Sequence, residues 1–234
     1  MEIALPTPPR VSVSLWRDTV APKEHGSWSL AFEPIGLALA VAPSWSGALF
    51  GAALTAGFFA RRPLRIALRE RDGERRTMAW RALGGCSAIS VTCLGGAVVL
   101  AGTAWLAWLL PMAIAGGIFA YGDLHGAGRE EVAEIAGSGA FALAPAAFAA
   151  LAGWTPLAAL ALAAVMLGRA VPSVMCVRAF LRAAKTGVRR DAPALLAAVA
   201  AVGVVSVFFD RELAPFAAVV AMVVFAVRAF ALLT

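Results

Sequence analysis

Charge is scarce in this sequence, and so are the residues on which soluble catalytic and metal sites usually depend. Only 15% of the 234 residues are charged and 61% are hydrophobic, whereas soluble domains carry roughly 25% charged residues. The chain holds two histidines, three cysteines and one tyrosine. This composition excludes an ordinary soluble domain and indicates a membrane protein.

The few cysteines form no recognisable framework. Cys86, Cys93 and Cys176 all lie in apolar stretches, where cysteine usually serves as a small packing residue. Their spacing matches neither a set of paired disulfides nor a zinc site. The first 22 residues contain four prolines and no apolar core, so we expect no cleavable signal peptide.

The charges fall in clumps that divide the chain into apolar stretches of suitable length to cross a membrane, which takes about 20 residues. The stretches predict eight spans: 27–42, 45–60, 83–101, 104–120, 138–152, 156–177, 194–209 and 213–231. The first, second and fifth are short, so they should extend into their charged flanks, thin the bilayer or be partly re-entrant. The predicted fold is all-α and polytopic, with an N-terminal segment over residues 1–26 and a single transmembrane domain over 27–234.

The basic residues predict the orientation of the chain. Of the 20 lysines and arginines, 17 precede the first span or follow spans two, four and six, whereas Arg211 alone lies on the other side. Short basic loops stay in the cytoplasm, so we expect both termini to be cytoplasmic. The same loops, facing anionic lipid, explain the net charge of +6 without a nucleic-acid partner.

Two Arg-rich segments occupy equivalent places, after spans two and six. Each contains two arginines four residues apart, which share one face of a helix and suit a phosphate or carboxylate. The likeness predicts two four-helix halves, 27–120 and 129–231, unless composition and loop charge alone produce it. The candidate binding residues are Arg61, Arg62, Arg65, Arg129, Arg169, Arg178 and Arg182.

Two charged residues of opposite sign fall inside the predicted spans at similar depth. Glu33 lies about 9 Å into the first span, and Arg169 lies about 12 Å from the cytoplasmic end of the sixth. Ionisable residues inside a membrane usually have a function. We expect both to line a cavity open to the cytoplasm, and the alternative is a buried ion pair that only orients the helices.

The remaining polar candidates gather on the predicted cytoplasmic side. His25 and His125 each follow an acid, Glu24 and Asp123, within two residues, which suits acid–base chemistry or ligation of a metal or haem. The sequence from 121 to 134 predicts a glycine turn followed by the start of a helix. There Glu130 and Glu134 stand one turn apart and should share a cation, either an arginine or a divalent metal such as Mg²⁺, although the helix dipole alone also favours acids at this position.

The element PKEHGSW at residues 22–28 resembles the start of YwiC-like proteins, a family of bacterial membrane proteins. The likeness extends through RRPL at 61–64 and the stretch 129–137. This resemblance implies a multi-pass protein of the bacterial inner membrane and brings no assigned activity with it.

A more distant resemblance is to the UbiA-type intramembrane prenyltransferases, which have two four-helix halves and functional loops after the second and sixth helices. It implies a transferase that acts on an isoprenoid or another phosphorylated lipid. The corresponding loops here lack the Asp-rich magnesium motifs of that superfamily. If the fold is shared, the carboxylates must come from elsewhere, namely Glu24, Glu33, Asp123, Glu130 and Glu134.

Three functions remain open from the sequence. The first is binding of an anionic amphiphile in an intramembrane cavity, with or without a transferase activity. The second is a non-catalytic carrier or exporter of an anionic small molecule that uses the same residues. The third is an assembly subunit of a membrane complex, which a carboxylate inside a span and two histidines on one side disfavour.

Overall fold

The computed structural model describes residues 18–20, 25–128, 130–188 and 191–233, and only the backbone of residues 25–27. Within those ranges the chain is helical and contains no strand. Eight α-helices span the described part of the chain: α1 His25–Val41, α2 Trp45–Arg69, α3 Glu74–Ala101, α4 Leu109–Leu124, α5 Glu131–Leu151, α6 Pro156–Thr186, α7 Ala192–Asp210 and α8 Phe216–Leu233. A short 3-10 helix, Ala104–Trp108, precedes α4.

The helices have the length and composition of membrane spans. Six helical segments are long and apolar enough to cross a membrane, namely α3, α4 with the preceding 3-10 helix, and α5 to α8. The apolar part of α1, Trp28–Val41, is shorter, and the last nine residues of α2 include four arginines. Large apolar side chains such as Val99 and Leu196 are exposed on the outside of the bundle. The prediction of an all-α polytopic membrane protein is confirmed.

Two of the three short predicted spans, the second and the fifth, are longer in the structure because their helices continue into the charged flanks. Helix α2 runs on from residue 60 to Arg69, and α5 begins at Glu131 rather than at residue 138. A helix satisfies its own backbone hydrogen bonds at any depth. Long arginine side chains can leave an apolar stem in the membrane and place their charge at its surface. Charge therefore marks where the apolar core ends rather than where the helix ends.

Helix α5 lies at the centre of the bundle and packs against α1, α4 and α6. Its small side chains allow neighbouring backbones to approach closely, as is typical inside membranes. Five alanines of α5 are fully buried: Ala142, Ala144, Ala146, Ala147 and Ala149. Helix α3, by contrast, packs mainly against α2. The α2–α3 hairpin is thus attached at the side of a bundle built around α5.

The two ends of the bundle differ in character. At one end, the rings of Phe50, Trp105 and Phe148 form an apolar cluster with ring centroids 4.9 to 5.3 Å from the ring of Phe50. The other end is where α2, α4 and α6 finish and α3 and α5 begin, and it carries the Arg-rich segments. We call it the basic end, and all the polar features below lie at or near it.

Candidate functional site

Asp123, the single acidic residue of α4, is the centre of a cluster of arginines. Its side chain is only 8% exposed. Arg61 donates from Nε to Oδ2 and from Nη2 to Oδ1, each at 3.2 Å, and Arg65 donates from Nη1 to Oδ1 at 3.3 Å. The two arginines stand one turn apart on α2, so one helical face presents both to the same carboxylate. We call Arg61, Arg65, Arg69 and Asp123 the Asp123 cluster.

Arg69, one turn further along α2, binds the end of α4 rather than the carboxylate. Its Nη2 donates to the carbonyl oxygens of Asp123 and Leu124, both at 3.1 Å. The last carbonyls of a helix have no partner within the helix and carry partial negative charge, so a cation stabilises them. The cluster therefore joins three guanidinium groups of α2 to one carboxylate and the end of α4, and Arg61 has a further contact elsewhere in the chain.

Packing around the cluster is close. A Cβ at Gly128 would lie 2.6 Å from Oδ1 and 2.9 Å from Cα of Asp123, so only glycine allows the turn after α4 to approach the carboxylate. The guanidinium of Arg61 lies over the ring of Phe119, 4.4 Å from its centroid, a favourable cation–π distance. A Cβ at Gly137 of α5 would lie 2.8 Å from that ring. A larger residue at either position would therefore displace Asp123 or the ring that lies beneath Arg61.

Three further carboxylates each pair with an arginine of α6. At the start of α5, Glu131 pairs with Arg182, and Glu134 receives a hydrogen bond of 2.6 Å from Nε of Arg178. Deeper in the bundle, Glu33 of α1 pairs with Arg169, whose guanidinium also lies 5.7 Å from the ring of Phe225. Each pair joins α6 to another helix, and each is close to neutral.

A cavity of about 1130 Å³ extends from the Asp123 cluster into the bundle. Arg61 and Asp123 line it at the basic end, and its other wall residues are mainly apolar, from Leu124 to Leu109 along α4. Glu134 and Arg169 also line it, whereas Glu33 is not among the described lining residues and pairs with Arg169. The cavity thus combines a charged end with an apolar body.

Aromatic rings occupy the place where α1 meets α2 beside this cavity. Trp28 and Phe32 of α1 contact Phe58 and Phe59 of α2, with centroids 5.5 to 6.4 Å apart. Phe58 also meets Phe141 of α5 at 6.0 Å, and these two rings line the cavity. The two helices make few other contacts, so aromatic side chains form this part of the wall.

Other predicted site residues lie apart from the cavity or outside the described residues. His125 is exposed, stacks on Tyr121 and hydrogen-bonds the carbonyl of that residue through Nδ1 at 2.8 Å. Glu130 is exposed, and Arg62 has a partner elsewhere in the chain. Glu24, Arg129 and the side chain of His25 lie outside the described residues. Among the described residues, no group of three His, Cys, Asp or Glu side chains is placed to hold a metal ion.

Several contacts of this site could not be predicted from the sequence. Nothing local indicates that Asp123 binds arginines 58 and 62 positions earlier, or that Phe119 lies beneath Arg61. The partner of Arg182 is Glu131. The one-turn spacing had predicted a cation beside Glu130 and Glu134, not beside Glu131. Spacing did indicate a cation for Glu134, and that cation is Arg178.

Comparison with known proteins identifies one similarity. A family model described as YwiC-like protein matches residues 21–148, just over half of the chain. This range contains α1 to α4 and most of α5, and with them the whole Asp123 cluster. No curated protein and no solved structure matches the chain.

Proposed function

We propose that this protein, which belongs to the YwiC-like family, binds an anionic amphiphile such as a phosphorylated isoprenoid or another phosphorylated lipid. The head of the ligand would bind at the Asp123 cluster, on the side that the basic residues predict to be cytoplasmic. Its apolar chain would occupy the cavity. The observation that carries the proposal is one cavity with an apolar body that ends at Arg61 and Asp123.

The shape of the cavity supports a ligand with a chain. Its wall follows α4 from Leu109 to Leu124, a helical length of about 22 Å. Pockets for small molecules usually measure roughly 300–1000 Å³, so about 1130 Å³ accommodates a larger, elongated ligand. Burying an apolar chain in the cavity would stabilise the complex by about 0.8 kcal/mol for each CH₂ group removed from water.

The charge of the cluster supports an anionic head. Arg61 and Arg65 already share Asp123, and the third guanidinium, of Arg69, binds backbone carbonyls. Three guanidinium groups gathered at the end of the cavity favour a phosphate or carboxylate, which guanidinium groups bind with directed hydrogen bonds. Asp123 holds the guanidinium groups in place before the ligand arrives, which lowers the entropic cost of binding.

A carrier for the same ligand is the second candidate, because helices around the cavity contain internal prolines. Pro34, Pro63, Pro145 and Pro172 lie inside the continuous helices α1, α2, α5 and α6. Proline removes a backbone hydrogen bond and allows a helix to bend. Bending of these helices would let the bundle open the cavity alternately to either side, as a carrier requires.

The test is retention of hexadecyl phosphate by the purified full-length protein, measured by native mass spectrometry, with hexadecanol as the neutral control. We expect Arg61→Gln/Arg65→Gln to weaken retention of the phosphate by about tenfold or more, since two charge-assisted hydrogen-bond donors are lost. Arg75→Gln/Arg76→Gln is the matched control, because it removes two charges from the same basic end but outside the cavity lining.

Equal retention by the two double variants, or equal retention of the phosphate and the alcohol, would contradict the proposal. Reconstituted vesicles then separate the candidates. If the protein moves a fluorescent alkyl phosphate between leaflets and Arg61→Gln/Arg65→Gln does not, the protein is a carrier. Binding without movement indicates a binding protein or an enzyme.

A further inference from the structure

Arg228 is a charged residue in an otherwise apolar helix. It lies five residues before the end of α8, Phe216–Leu233, and is the only charged residue of that helix. Within the described part of the chain it makes no hydrogen bond or ion pair. Charged residues in membrane spans are costly and usually face a partner or a water-filled cavity. Arg228 lines the large cavity.

A second arginine lies beside the same face of α8. Phe225 precedes Arg228 by three residues, so the two side chains are neighbours on the helix. The guanidinium of Arg169 lies 5.7 Å from the ring of Phe225, and both residues line the cavity. Glu33 neutralises one of these two arginines. Among the described residues, this part of the cavity therefore keeps one positive charge without a counter-charge.

This positive charge belongs to a different part of the bundle from the Asp123 cluster. Arg61 reaches Asp123 between α2 and α4, whereas α8 packs against α6 and α7. The cavity is lined from both regions. Arg228 is also exposed, so neighbouring side chains do not cover it.

We propose that Arg228, with Arg169 beside it, forms a second oxyanion subsite in the cavity, separate from the Asp123 cluster. It would take one phosphate or carboxylate group. That group belongs either to a small water-soluble anion or to a second acidic group on the amphiphile itself. The inference rests on the proposed function, in which the cavity is the ligand site and the head group binds at the Asp123 cluster.

The first measurement is thermal unfolding of the full-length protein in a neutral detergent, titrated with inorganic phosphate against chloride at constant ionic strength. A second titration compares hexadecanedioate, which has an acid at each end, with hexadecanoate. We expect Arg228→Gln to weaken the response to phosphate, to the diacid, or to both, by about tenfold, because a charge-assisted hydrogen bond is lost. If Arg228→Gln loses the response to phosphate, the subsite binds a free anion. If it loses the stronger response to the diacid than to the monoacid, the subsite binds a second acidic group on the amphiphile.

Arg81→Gln is the matched control, since Arg81 is an exposed arginine of α3 outside the cavity lining. It should leave both titrations unchanged. Unchanged titrations for Arg228→Gln, or an equal loss for Arg81→Gln, would overturn the subsite. Retention of hexadecyl phosphate should stay within about twofold in Arg228→Gln because its single phosphate is bound at the Asp123 cluster, so failure of this subsite is distinguishable from failure of the proposed function.

Discussion

The Asp123 cluster and the three Glu–Arg pairs of α6 combine carboxylate and guanidinium groups in different proportions. In the cluster, one buried carboxylate is shared by Arg61 and Arg65 while Arg69 binds the adjacent carbonyls. In the pairs, each glutamate has one arginine. A one-to-one pairing joins two helices, whereas a shared carboxylate gathers several guanidinium groups in one place. On the proposed function, the difference separates a structural use of arginine from a binding use.

Removing the shared carboxylate should have the largest effect. In Asp123→Asn, Arg61 and Arg65 lose the negative charge that they share in a partly buried site, and such a loss typically costs about 3 kcal/mol. We expect the free energy of unfolding, measured by denaturation in mixed micelles, to fall by about that amount.

Asp72→Asn is the control for this substitution. Asp72 is 97% exposed and lies 3.9 Å from Arg76, so its loss should leave the unfolding transition in place. If Asp123→Asn unfolds at the same denaturant concentration as Asp72→Asn, Asp123 does not organise the cluster.

Breaking a neutral pair should have a smaller effect. A double-mutant cycle of Glu134→Gln and Arg178→Gln should give a coupling energy of about 1 kcal/mol, because the pair is hydrogen-bonded but partly exposed. Retention of hexadecyl phosphate should change less than in the Arg61/Arg65 variant. A larger loss of retention than in that variant would place the head group at α5 and α6 instead.

The cycle of Glu70→Gln and Arg75→Gln is the matched control for a pair outside the cavity. These two side chains are 32% and 43% exposed and lie on the loop side of the basic end. Their coupling should be about 0.5 kcal/mol or less. A coupling equal to that of Glu134 and Arg178 would mean that the α5–α6 pair contributes nothing beyond surface electrostatics.

The sequence predicted the helices better than their lateral contacts. Apolar length and clumped charge located all eight described helices, because exclusion of charge from the hydrocarbon core is a local property. Depth along two helices also brought Glu33 and Arg169 together, and that ion pair is present. Which helices are neighbours is not a local property. The contacts of Asp123 therefore appear only once α2 lies beside α4.

The smallest expected effect concerns a glycine that touches no charge. Gly137→Ala would place a methyl carbon 2.8 Å from the ring of Phe119, so the ring must move, and the guanidinium of Arg61 lies over that ring. We expect retention of hexadecyl phosphate to fall about threefold, since a weakened cation–π contact is worth about 0.5–1 kcal/mol, with little change in retention of hexadecanol. Gly117→Ala on α4 is the control, because its added carbon meets nothing within 4 Å. An equal fall for the phosphate and the alcohol would show that Gly137 shapes the apolar body of the cavity, and no fall would show that Arg61 does not depend on Phe119 for its position.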